Sequence, residues 1–282
     1  MLMVVTPVVL ALLGLVFGSF VNALVWRLHE QAKLRGKKGN VAAKRREALS
    51  IAKGRSMCPH CGHELAAKDL VPVVSWLLLG GKCRYCKARI PDSPLVELLT
   101  AVLFVVSYLA WPYSMHGVWL AQFVFWLGFL VAFVALAVYD LRWFLLPDRI
   151  VFPAICMATI EVIMTSIWQR SLDDLWLPAA GAVVLAGCFW CLYQFSKGKW
   201  IGGGDVKLAI VLGLLAGTPF RALTVLFFAS LIGTLVSVPE LLKGRQGLVR
   251  RIPFGPPLLL ATVIVVLWGT HIANWYQGLI IR

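Results

Sequence analysis

Acidic side chains are scarce in this sequence: 13 Asp and Glu stand against 27 Lys and Arg among 282 residues, and charged residues make up only 14% of the chain. So little charge excludes an ordinary soluble domain, where the fraction is about 25%. Residues 1–27 lack the positive amino-terminal region and small-residue cleavage site of a signal peptide, so they are read as a retained first helix. No glycine-rich nucleotide loop of the soluble type follows a strand. No helix repeats are evident of the kind expected if intramembrane acids served a transporter's proton relay.

What the chain does have is apolar length. Hydrophobic residues make up 60% of it, and the mean hydropathy is +0.82, which indicates an all-α polytopic membrane protein. Measured against the roughly 20 residues needed to span, the apolar runs predict about eight helices, near 5–27, 94–111, 117–139, 150–168, 175–196, 205–217, 222–242 and 254–276. The sixth ends at Thr218-Pro219 and is too short to cover the hydrocarbon core, which is tolerable where protein or water surrounds its end. With the amino terminus outside, the loops at 28–93, 140–149, 197–204 and 243–253 face the cytoplasm and hold nearly all the Lys and Arg. Only Arg170, Arg221 and Arg282 remain on the other side. The net charge of +14 is thus a topological signal aided by anionic lipid, and no nucleic-acid partner is needed to explain it.

The sequence divides into a first helix (1–28), a cytoplasmic segment (29–93) and a seven-helix membrane core (94–282). Within the segment, residues 29–57 are basic and read as a solvated or lipid-touching surface helix. Then Cys58-Pro59-His60-Cys61 and Cys83-Arg84-Tyr85-Cys86 form two knuckles, 21 residues apart. Paired Cys-x-x-Cys knuckles place four thiolates at the corners of a tetrahedron, the geometry of structural Zn²⁺, with His60 or His63 as substitute ligands. Four thiolates leave no open position for a water, so the predicted role is structural. Between the knuckles, 71–79 reads as the small domain's apolar core or a patch on the membrane surface. Cys188-Phe189-Trp190-Cys191 has the same spacing but lies mid-helix without a cationic neighbour, and reads as inert packing, as does Cys156.

Few acids make each one informative. Asp140 closes the third helix and Asp148 follows it, both level in depth with Asp205, which ends Gly202-Gly203-Gly204-Asp205 at the start of the sixth. Glycines without Cβ atoms let the chain turn sharply and let a substrate approach. Two aspartates at one depth can share a proton, one acting as base on water while the other polarises a peptide carbonyl. Each acid also has a plainer reading, as an interfacial helix cap or a salt bridge to Arg142 or Arg149. Glu97 opens the second helix, either as a cap or as a contact for a cationic substrate segment. Glu161 has no assigned role. In the first helix Gly18, Ser19 and Asn22 share a short arc that serves either close helix packing or a site lining. The stretch Arg251-Ile252-Pro253-Phe254-Gly255-Pro256-Pro257 makes a rigid turn into the last helix, as a loop entry or part of an active-site floor.

Gly202 to Asp205 resembles the Gly-x-Gly-Asp signature of intramembrane aspartyl proteases. Together with Gly18-Ser19-Phe20-Val21-Asn22, the knuckles, Pro72 to Leu77, Pro94-Leu95-Val96-Glu97, Leu146-Pro147-Asp148, Gly202 to Lys207 and Pro253 to Pro256, the chain resembles the type IV prepilin peptidases nearly end to end. That resemblance implies Asp140 and Asp205 as the catalytic pair, with Gly202, Gly204, Lys207, Glu97 and Asp148 in support. It implies type IV prepilin and type II secretion pseudopilin substrates in a bacterial inner membrane. Cleavage is expected on the cytoplasmic side, after the glycine ending a short basic leader. The new terminal residue, commonly Phe, is then expected to be N-methylated from S-adenosylmethionine. One departure is visible: Pro91-Asp92-Ser93 stands where many members have an Arg-Tyr pair.

Overall fold

A computed structural model describes residues 2–36, 39–51, 54–90, 94–242 and 253–280. Pro91-Asp92-Ser93 and, within the predicted loop at 243–253, residues 243–252 lie outside the described residues. The described residues are helical, with two isolated β-bridges, Met57 to Glu64 and Lys82 to Arg89, in the cysteine region. The helices are α1 (Leu2–Lys33), α2 (Asn40–Ala48), α3 (Val74–Leu78), α4 (Leu95–Leu109), α5 (Val118–Trp143), α6 (Asp148–Gln169), α7 (Asp173–Ser196), α8 (Gly203–Ala216), α9 (Pro219–Leu241) and α10 (Gly255–Ile280). A helix lies in each of the eight stretches expected to hold one. Six are long and apolar enough to cross a bilayer, and α4 and α8, with 15 and 14 residues, are shorter. The chain packs as two compact units, Met1–Leu109 and Ala110–Arg282, whereas the sequence division falls at 28 and 93.

In the first unit, α1 lies against α4 with almost no space between the backbones. A Cβ added to Gly14 would sit 2.5 Å from Ala101 Cα, and one added to Gly18 would sit 2.5 Å from Glu97 Cα. Two small residues four apart allow this approach, and packing at such distances supplies the dispersion that holds membrane helices together. The small-residue reading of the Gly18 arc therefore holds. The apolar stretch at 71–79 is not a core: Leu77 and Leu78 are exposed, and nothing in α3 is buried. It presents an apolar face outward.

In the second unit, α8 touches α6, α7, α9 and α10. Its apolar residues point in all directions, and Leu208, Ala209, Val211 and Leu212 are fully buried. A Cβ on Gly181 would meet the carbonyl oxygen of Gly213 at 2.8 Å, and one on Gly213 would collide with the Ala182 backbone. The short helix is thus enclosed by protein, as its length requires. Phe152, Ile160, Ile167, Val183 and Phe227 instead point outward, the pattern of surfaces that face lipid.

Candidate active site and metal centre

Asp140 lies three residues before the end of α5 and is 6% exposed. The helix stops just beyond it because Phe144 takes the left-handed conformation (φ 55°) and its N–H returns to the Asp140 carbonyl at 2.8 Å. The side chain is held separately: Asp140 Oδ2 accepts the N–H of Gly255, the first residue of α10, at 3.1 Å. A Cβ at Gly255 would lie 2.5 Å from that oxygen, so only glycine permits the approach.

Asp205 is the third residue of α8. Its Oδ2 accepts the N–H of Gly202 at 3.2 Å, while its own N–H bonds the Gly202 carbonyl at 3.1 Å. Both carboxylates thereby accept an N–H at a helix N-terminus, Asp140 that of α10 and Asp205 that of α8, where unpaired N–H groups and the helix dipole favour negative charge. Gly204 is needed for packing, since a Cβ there would come 3.0 Å from Leu146 Cβ in the segment between α5 and α6.

Asp148 is the other acid at this depth. It pairs with Lys207 Nζ at 2.8 Å, and Lys207 also lies over the Phe152 ring at 5.3 Å. This pairing gives Lys207 a structural task and sets Asp148 apart from the two aspartates. Gly255 is the residue that sequence reasoning places only loosely, in a rigid turn. Its signal was the Gly-Pro-Pro entry to an apolar helix, which marks a close backbone approach without saying to what.

The second constellation lies in the first unit. The sulfur atoms of Cys58, Cys61, Cys83 and Cys86 are all within 4.8 Å of one another, and Cys58 and Cys86 are 3.8 Å apart. A tetrahedral ion with metal–sulfur bonds of about 2.3 Å has sulfurs about 3.8 Å apart. The cluster fits a metal ion. The two knuckles repeat one turn: Cys58 N–H bonds the His63 carbonyl as Cys83 N–H bonds the Ala88 carbonyl, at 2.9 and 2.8 Å. Backbone N–H groups of Cys86 and Tyr85 aimed at the Cys83 sulfur lower that thiol to about 7, whereas burial raises Cys58. The His63 ring lies tilted against that of Tyr85 with ring centres 3.7 Å apart, outside the four-sulfur group. Cys188 and Cys191 belong to no such group among the described residues.

Arg84 Nε bonds Asp69 at 2.6 Å and so holds that carboxyl below its usual range. Glu97, 8% exposed, accepts the N–H of Val73, a β-branched residue at φ 60°. Asn22, Glu97, Trp26 and Trp76 line one cleft in this unit, which gives Asn22 the site-lining position as well.

The sequence matches two families: Bacterial Peptidase A24 N-terminal domain over residues 12–111, and Type IV leader peptidase family over residues 127–238. The Prepilin leader peptidase/N-methyltransferase of Pseudomonas aeruginosa is 36% identical over 279 residues, covering 94% of this chain and 91% of that protein. That of Aeromonas salmonicida is 33% identical, covering 96% and 93%. The Type 4 prepilin-like proteins leader peptide-processing enzyme of Escherichia coli is 32% identical, covering 92% and 93%. No solved structure matches the chain. With two families matched in order and such similarity along nearly its whole length, the chain belongs to the type IV leader peptidase family.

Proposed function

We propose that this chain is a membrane aspartyl endopeptidase whose catalytic pair is Asp140 and Asp205. The observation that carries this is the placement of two carboxylates in one unit, each fixed by a glycine N–H at a helix start. Two such groups hold one proton between them. The ionised member takes a proton from water, whose oxygen attacks the scissile carbonyl carbon. The protonated member donates to the carbonyl oxygen, and the tetrahedral intermediate collapses as the leaving amine takes up a proton.

The substrates are type IV prepilins and type II secretion pseudopilins, whose short basic leader is cut off after a glycine at the cytoplasmic boundary. Asp148, with its side chain 54% exposed, or Glu97 receives that basic leader locally. The new terminal residue, commonly Phe, is N-methylated, with S-adenosylmethionine supplying the methyl group. Zn²⁺ at Cys58, Cys61, Cys83 and Cys86 is a structural ion that ties the two knuckles together. The protein sits in the bacterial inner membrane with its amino terminus periplasmic and the tetracysteine domain cytoplasmic. Neither a transporter nor a membrane-anchored zinc module finds support among relatives named as leader peptidases.

The test is mass spectrometry of a prepilin incubated with the purified protein and S-adenosylmethionine, beside Asp140→Asn and Asp205→Asn. Leader loss with one added methyl, and no cleavage by either variant, is expected. Cleavage by either variant at the wild-type rate overturns the pair.

A further inference from the structure

We propose that α3 is a foothold on the membrane, its outward face entering the headgroup layer of a bilayer that contains anionic phospholipid. The helix, Val74–Leu78, is two-sided. Ser75 and Trp76 line the cleft of the first unit, whereas Val74, Leu77 and Leu78 are exposed. Leu77 is 63% exposed and Leu78 80%, and Leu70 and Val71, just before the helix, are exposed as well. Five large apolar side chains on nine consecutive residues make a patch of the kind that marks an interaction surface.

Glu97 sets the depth of this patch. Its carboxylate accepts the N–H of Val73, the residue before α3, and Glu97 is itself the third residue of α4. The start of α3 is therefore tied level with the first turn of an apolar helix. Leu95, Leu98, Leu99 and Val102 of α4 are all exposed, the surface such a helix offers to hydrocarbon. The apolar side of α3 thus begins at the level where that surface begins. Val73 holds φ 60°, a costly conformation for a β-branched residue, and the carboxylate that secures it also fixes where α3 starts.

Charge selects what covers the patch. Asp69 is the only acid in residues 65–90, and Arg84 holds it at 2.6 Å. Lys68, Lys82, Lys87 and Arg89 are exposed, so the stretch stays cationic even with four thiolates around a divalent ion. Lys68 and Lys82 stand just before and just after the apolar residues. Their stems can lie along lipid while their ammonium groups meet phosphates. The same charges turn away a basic leader. A patch this small also falls short of the roughly 20–30 residues per side of a stable protein interface. An interfacial helix has no such requirement, since it sinks only about 5–10 Å into the headgroup boundary. The contact requires the chain to lie in a membrane and nothing of the cleavage chemistry. It gives the cysteine region a second hold, besides that of Arg27 in α1 on the Ser50 and Gly54 carbonyls at 3.0 Å.

The test uses the full metal-loaded chain in nanodiscs of phosphatidylcholine with or without phosphatidylglycerol. A benzophenone-bearing residue is placed at Leu78, at Leu77 in a second variant, and at the exposed Glu64 as control. Adducts are identified by mass spectrometry after irradiation, and retained metal shows that each variant is folded. Lipid adducts at Leu77 and Leu78 and none at Glu64 are expected, with a yield about fivefold higher when phosphatidylglycerol is present. Lys68→Glu combined with Lys82→Glu should remove that gain. Adducts to a second copy of the chain, or to a co-reconstituted prepilin, in place of lipid overturn the foothold. So do equal lipid adducts at Glu64, equal yields in the two bilayers, or a folded protein with no adduct at either leucine. A protein that forms the lipid adducts yet fails to cleave prepilin would sink the peptidase reading and leave this contact standing.

Discussion

Gly255 shows how much one hydrogen atom in place of a methyl group can decide. Its N–H holds Asp140 Oδ2 at 3.1 Å, and a Cβ there would sit 2.5 Å from the same oxygen. Gly255→Ala is therefore expected to push the carboxylate out of line and lower kcat for leader cleavage about 10²-fold, the order that follows from misplacing a reacting group by an ångström. Steady-state kinetics on a prepilin, with thermal unfolding as control, checks this; unchanged kcat would remove Gly255 from the site. Asp148→Asn, which breaks the pair with Lys207, is expected to change kcat by a few-fold at most and to act through KM. The Gly-Asp signature and its glycines were legible because they are contiguous. The bond from Gly255 to Asp140 spans 115 positions, and that from Lys207 to Asp148 spans 59, so no local pattern announces either. The knuckles give a finer case. Gly62 and Lys87 follow the second cysteine of each, with φ of 70° and 59°. A side chain in that conformation costs about 1 kcal/mol. Lys87→Gly should recover part of that and Gly62→Ala should lose it, measured as unfolding of the metal-loaded protein.

Helices were read from apolar runs because a spanning segment must satisfy its backbone internally and face lipid outward. Their ends were read less well. Phe144, Arg170 and Lys197 close α5, α6 and α7 in the left-handed conformation, and none is the glycine that would have advertised a cap. Close helix contacts were legible only as small residues, never as pairs. Gly213 packs on Ala182 and Gly14 on Ala101, partners that sequence distance hides. These contacts make different demands from an apolar core, because the neighbour is backbone and cannot swing away. Gly213→Ala is expected to separate α7 from α8 and destabilise the protein by about 1–3 kcal/mol. Because Asp205 starts the same helix, cleavage should fall as well. Gly187, with open space around its Cβ position, is the matched control on α7, and Gly187→Ala should leave both thermal unfolding and turnover intact. Equal effects of the two substitutions would mean that α7 and α8 do not depend on this contact.

At the scale of the whole chain the two short helices decide on which side of the membrane the chemistry lies. α4 and α8 rise about 22 and 21 Å, at about 1.5 Å per residue, against a core of about 30 Å. If neither crossed, α5 would run the other way. Its end with Asp140 and Arg142 would then face the periplasm, together with Lys197, Lys199 and the start of α8. Arg170 would become cytoplasmic. That arrangement reverses the Lys and Arg asymmetry that the remaining loops obey. If both cross, every basic connection returns to the cytoplasmic side, and Asp140 and Asp205 start from the face where a basic leader is made. The composition supports crossing: α4 is followed by Trp111 and Tyr113, aromatic residues of the kind that mark an interface, and α8 is enclosed by four other helices. Alkaline phosphatase, active only outside, is therefore expected to be active when fused after Ser171 and inactive when fused after Gly198 or Phe144. The reverse pattern at all three positions would place both aspartates in the periplasm, where no leader is available to cut, and the peptidase mechanism would fail at its first step.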